Sequence, residues 1–278
     1  MAPQPRCRFD IDQFEGISFF GPSLVGFGSL EMYSKGMSSP MSWFRRKVIV
    51  SFKSNDSVAL TFDDGPDPHH TPQVIDILQK HNARATFFTL GRQAELYPRI
   101  VQQILSTGSE IANHSYSHPS FSLISNAERL AELKKCRSAI GTSGKRYFRP
   151  PFGHASCGTP FWASLLNYDT ICWSADARDW ETDDPNAMLQ LLETNVLPGS
   201  IVLLHDRIET ARDAKFFERQ GMLEALDRFL GNSVLSFKTL SEMFASYEAI
   251  ESDWDRHFPK NKRYLREQDM QDLIRNSP

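Results

Sequence analysis

Residues 59–66 read ALTFDDGP, and the fold turns on how that stretch is read. Val58, Ala59, Leu60 and Phe62 make a short apolar run of the kind found in a buried strand. The run stops at Asp63-Asp64-Gly65-Pro66, where glycine and proline break the strand and fix a turn. Two adjacent carboxylates at the mouth of a buried strand repel each other and are costly to desolvate. They are accommodated if a cation sits beside them, or if an arginine holds one of them as a base. The plain alternative is a solvated Asp-Gly turn.

Working outward, apolar strands alternate with amphipathic segments. Residues 71–81 carry Val74, Ile75 and Leu78 at helical spacing, with Pro72 suited to a first turn. Residues 85–90 (ATFFTL) read as a strand, 96–105 as a helix, and 110–113 as a strand leading into His114. Beyond them come a helix over 126–140, a strand over 147–149, a helix over 159–166 and a strand over 169–173 (DTICW). Residues 186–196 are predicted helical, 200–204 a strand, 221–230 a helix and 234–238 a last strand. Roughly seven such units in ~190 residues imply parallel βαβ connections and a closed or nearly closed barrel. The chemistry-bearing residues fall where strands end, which is where a parallel α/β barrel builds its site.

The division expected is an N-terminal extension over 1–50, a catalytic (β/α) barrel over 51–245 and a helical, charged tail over 246–278. In the extension, residues 47–52 (KVIVSF) suit a strand. Running from the barrel's end into the tail, Met243, Tyr247, Ile250 and Trp254 form one helical stripe. A net charge of −3 and a pI near 6.2 offer no electrostatic case for nucleic acid or an anionic membrane. Four scattered cysteines without a CxxC pair argue against a structural zinc knot and mildly favour a reducing compartment. No apolar run reaches membrane-spanning length, and the opening MAPQPRCRFD lacks the pattern of a signal peptide, so a cytoplasmic setting is expected.

Residues 113–119 (NHSYSHP) place His114 and His118 at i, i+4, where one helical turn would present both rings to a single ion. With Asp64 they make a carboxylate and two imidazoles, a set that suits Zn²⁺ and similar divalent ions. Residues 147–153 (YFRPPFG) put Arg149 at a strand end. A buried arginine needs a carboxylate partner, and Asp63 is available. A second acidic strand end, WSADARDW (173–180), and a strand ending LLHD (203–206) complete the series.

TFDDGP, HSYSH, RPPFG, DARDW and LLHD, in this order, resemble the polysaccharide deacetylase family, the group that shares the nodulation-protein-B homology domain (carbohydrate esterase family four). The resemblance covers roughly residues 55–245. It implies a distorted (β/α)7-type barrel and metal-dependent removal of acetyl groups from N-acetylated oligo- or polysaccharides. By motif, Asp63 would be the base, oriented by Arg149, and Asp64, His114 and His118 the ligands of a divalent ion, zinc or else cobalt, manganese or nickel. His205 would be the acid, tuned by Asp179. The Phe152 N–H would help hold the oxyanion, while Leu203 and Trp180 would line the acetyl pocket and sugar groove. Phe152 stands where many members carry tyrosine, and His69 and His70 are extra. Two other readings stay open: an amidohydrolase acting on a small non-sugar C–N bond, and a catalytically silent glycan-binding module.

Overall fold

The computed structural model describes residues 47–153, 158–210 and 214–253. In chain order these begin with β1 (Lys47–Phe52), β2 (Ser57–Asp63), α1 (His70–Lys80), β3 (Thr86–Thr89), α2 (Gly91–Leu96) and α3 (Pro98–Ser106). There follow β4 (Glu110–Asn113), α4 (Asn126–Ile140), β5 (Gly144–Phe148), α5 (Thr159–Leu165), β6 (Asp169–Thr170) and β7 (Ala175–Asp176). The described chain closes with α6 (Pro185–Asn195), β8 (Ile201–His205), α7 (Gln220–Asn232), β9 (Ser236–Lys238), α8 (Leu240–Ser246) and β10 (Ala249–Asp253).

β2 is buried along its whole length, as its apolar run predicts. It pairs in parallel with β3 and with β8, and β9 lies against its first residues. The sheet runs β6-β5-β4-β3-β2-β8-β7. Its two end strands, β6 and β7, are joined by only residues 171–174. A chain that short spans at most about 18 Å from Thr170 to Ala175, so the sheet must curl until its ends come near each other. The result is the distorted barrel that the family resemblance implied, half-closed where the strand count implied a closed or nearly closed one.

Alternation along β2 sorts its side chains. Val58, Leu60 and Phe62 pack outward against the helices, in a cluster with Val74, Ile75, Leu223 and Leu226. Ala59 faces inward with Phe88, Ala112 and Leu203. Thr61 and Asp63 follow the same inward period, so the first carboxylate of the DDGP turn points to the barrel axis. α4 opens with a capping box in which Ser125 and Glu128 satisfy each other's backbone N–H.

The interior is floored by a ribbon that the helical reading of the tail missed. β1 pairs antiparallel with β10, and Val48, Ile49 and Phe52 enter the inner cluster beside Leu240 and Met243. The helix containing Met243 stops at Ser246, and Ile250 lies in a strand, 38% exposed. Trp254 lies outside the described residues. The predicted strand over 169–173 is shorter than expected: only Asp169–Thr170 pair with β5, while Ile171 turns inward to bridge Ile49 of β1. No described helix is long and apolar enough to cross a membrane.

Candidate active site

Asp63 ends β2, and the left-handed φ of 74° at Asp64 swings the second carboxylate away from the first. A non-glycine residue adopts that region only under local constraint. Asp63 Oδ1 accepts from Arg149 Nη1 at 2.7 Å. The same guanidinium donates to Thr61 Oγ1 at 2.8 Å and to the Cys172 carbonyl at 3.1 Å. It also lies over the Phe88 ring at 4.1 Å. Arg149 is wholly buried, and a cation so placed must be paired and hydrogen-bonded.

Asp64 Oδ1 lies 3.2 Å from His114 Nε2 and 3.1 Å from His118 Nε2. The two histidines do not sit on a helical turn. Ser115 and His118 take φ of 72° and 63°, and the loop is held by Asn113 Oδ1 accepting from Ser115 N–H and Glu132 accepting from the Tyr116 and Ser117 N–H groups. The i, i+4 spacing therefore brings the rings together through a constrained loop.

A divalent cation fits these residues. His114 Nδ1 is 2.8 Å from the Arg149 carbonyl, which can only accept, so Nδ1 carries a proton, and in the neutral ring Nε2 turns its lone pair toward the Asp64 carboxylate. A lone pair facing a carboxylate oxygen at that distance is repulsive unless a cation lies between them. Consistently, Asp64 Oδ1 is buried and makes no hydrogen bond, whereas Oδ2 is occupied by the Glu209 N–H at 2.8 Å. Asp64, His114 and His118 offer one ligand atom each, all within 4.8 Å of one another. Burial pushes the Asp64 carboxyl up, but His118 and His114 outweigh it and hold the group well below the usual range. Burial also lowers His118, favouring the neutral imidazole that a ligand requires.

Across the cleft, His205 ends β8 with Nδ1 2.9 Å from Asp179 Oδ1, leaving Nε2 as the edge available to a substrate. Burial alone would lower this imidazole; the Asp179 charge and hydrogen bond outweigh it and raise it to about 9. Asp179 is itself fully buried. Burial pushes its carboxyl up, but His205 and Arg219 hold it below the ordinary value. Arg219 escaped the sequence reading, since it sits just before α7, outside every motif. It is 2% exposed and reaches Asp179 Oδ2 at 2.5 Å.

These groups meet in one cleft. Asp63, Asp64, His114, His118, Phe152, Trp180, Leu203 and His205 line it, while Arg149 and Asp179 stand behind, each holding a lining residue. The Phe152 ring lies 4.4 Å from that of His118, and its φ of 59° marks another constrained turn. Ile208 and Thr210, just past LLHD, add a wall that no sequence pattern signalled. Asp176 also lines the cleft, its carboxyl raised by burial to about 6. His69 and His70 are not among the lining residues.

A curled parallel sheet whose strand ends bring a carboxylate, two imidazoles and an arginine-held aspartate to one cleft defines a metal-dependent hydrolase. The chain belongs to the polysaccharide deacetylase family, whose profile matches residues 52–171. It is 33% identical to a peptidoglycan-N-acetylglucosamine deacetylase of Bacillus cereus, over 76% of this chain and 77% of that one. It is 35% identical to a chitooligosaccharide deacetylase of Azorhizobium caulinodans, over 63% of this chain and 85% of that one. Among solved structures, a peptidoglycan N-acetylglucosamine deacetylase bound to an N-oxidanyl-benzamide superposes with a TM-score of 0.65 at 34% identity, covering 75% of this chain and 98% of that chain. The motif order that implied a carbohydrate deacetylase is thus matched in both sequence and fold.

Proposed function

We propose that this enzyme removes acetyl groups from N-acetylglucosamine units of an oligo- or polysaccharide, with Asp64, His114 and His118 holding a zinc ion (cobalt, manganese and nickel being the alternatives). The observation that carries the reading is the separation of the DDGP pair: Asp64 faces the two imidazoles and Asp63 faces Arg149. When bound, the ion supplies Lewis-acid polarisation of the acetyl carbonyl and lowers the pKa of water in the cleft.

The chain's own groups do the rest. Arg149 keeps Asp63 ionised and aimed, so that Asp63 takes the proton from the attacking water as oxygen adds to the acetyl carbon. The Phe152 main-chain N–H is the candidate donor to the oxyanion. Collapse breaks the C–N bond, and His205 delivers a proton from Nε2 to the departing sugar amine, which cannot leave as an anion. A raised imidazole pKa serves this step, since the acid stays charged near neutral pH. Leu203 and Ile208 provide apolar surface for the acetyl methyl, and Trp180 a flat face for the sugar ring.

Released acetate tests the reading, measured with metal-replete protein on chitooligosaccharides, peptidoglycan fragments and acetylxylan. Acetate from the first two, abolished in Asp64→Ala together with ion binding, is the expected result. An Asp64→Ala protein that still binds the ion and still deacetylates would overturn the site assignment. No acetate from any sugar would move the reading to a non-sugar amide.

A further inference from the structure

The contacts of Arg219 exceed what a packed arginine needs. Nη2 reaches Asp179 Oδ2 at 2.5 Å, and Nη1 donates to the Asp179 carbonyl at 2.9 Å and to the Phe216 carbonyl at 2.9 Å. Nε donates to the carbonyl of His205 itself at 3.3 Å. One planar fork thus grips both the carboxylate that binds the His205 ring and the main chain that carries that ring. The Asp179 carboxylate is held from two sides, by His205 Nδ1 and N–H through Oδ1 and Oδ2, and by Arg219 through Oδ2.

We propose that Arg219 is a positioning residue for proton delivery, fixing Asp179 and the end of β8 so that His205 Nε2 meets the leaving nitrogen. This rests on the reading of His205 as the acid. Free of Arg219, the Asp179 carboxylate keeps only its two bonds to His205, at Nδ1 and the main-chain N–H, and loses the partner that braces it against the rest of the fold. Lysine in the same place keeps the charge but offers a point donor in place of the fork, so it cannot hold all four acceptors at once. The inference concerns only the second half of the reaction: Asp63, Asp64, His114 and His118 make no contact with Arg219 among the bonds and ion pairs described.

The two halves are separable by leaving group. A sugar amine must be protonated to depart, whereas the nitrophenolate of 4-nitrophenyl acetate departs without help. The readout is the ratio of amide to ester hydrolysis, with the ester rate of Asp63→Asn subtracted as off-site background. General-acid assistance is worth roughly 10²–10⁴-fold, so His205→Ala should lower the ratio on that scale. Arg219→Lys and Arg219→Met should lower it by about tenfold or more when introduced into the wild type, and not further in the His205→Ala background. If Met at 219 prevents folding, the lysine variant decides alone.

A ratio unmoved in Arg219→Lys, both rates falling together, reduces Arg219 to a structural role and overturns the inference. So does a further fall of the ratio in the His205→Ala background, because Arg219 would then act by another route. A ratio unmoved by His205→Ala itself overturns the assignment of the acid, and with it this inference, and is distinct from the other two results.

Discussion

Replacing Asp179 by asparagine tests the tuning of the acid with almost no change in volume. In the native protein the imidazole rises from 6.5 to about 9, so at about pH 8 roughly nine molecules in ten carry the proton. An amide at 179 removes the charge that outweighs burial, and its NH₂ facing Nδ1 favours the neutral ring. With the imidazole back at or below its ordinary value, about one molecule in thirty is protonated at that pH. The population effect alone is then about 30-fold at pH 8 and under about twofold at pH 6. The assay is kcat/KM for acetate release from a chitooligosaccharide between about pH 5 and 10, with the fold of both proteins checked by thermal melting. A bound cation displaces the basic limb of both proteins in the same sense, so the separation between the two limbs is the tested quantity. The same pairing has a stability signature. Because the folded-state value lies above the unfolded one, the pair stabilises fully below about pH 6.5 and stops doing so as pH rises through about 9. The gap in melting temperature between wild type and Asp179→Asn should therefore narrow across that window. A loss of activity equal at pH 6 and pH 8 refutes the reasoning.

Asp63→Asn should lower acetate release by about 10²–10⁴-fold while ion affinity, read by chelator competition, changes little, because Asp63 pairs with Arg149 and Asp64 supplies the ligand atom; parallel loss of the ion would merge the two roles again. Gly65→Ala should cost about 1–3 kcal/mol of stability, since its Cβ would lie 2.2 Å from Asp206 Oδ2, a buried carboxylate held by Thr71. An unchanged melting temperature would show that the turn gives way freely.

Strands buried on both faces wrote themselves into the sequence: β2, β3 and β8 are short apolar runs, and each was read near its true ends. The pairing of Asp63 with Arg149 was legible too, because a buried cation requires an anion and one candidate stood at the neighbouring strand end. Where tertiary contact overrode local pattern, the reading failed. The stripe from Met243 to Ile250 has helical spacing, yet residues 249–253 leave the helix because β1 offers them a ladder. The HxxxH spacing foretold that the two rings meet but not the backbone that brings them together, since the left-handed residues Ser115 and His118 are set by contacts to Asn113 and Glu132 rather than by propensity. Arg219 left no local trace, because nothing in FFERQG says which carboxylate its guanidinium will find.

Arg149 serves two parts of the centre with two different kinds of atom. Its guanidinium holds Asp63, while its carbonyl sets the tautomer of His114. Only the first of these is written in the identity of the residue; any amino acid at 149 supplies the second. Under the proposed mechanism, a single codon change there would silence turnover and leave the ion seated, a one-step route from catalyst to receptor. Metal content alone would then be a poor witness to activity in this chain, and the side chain at 149 the better one.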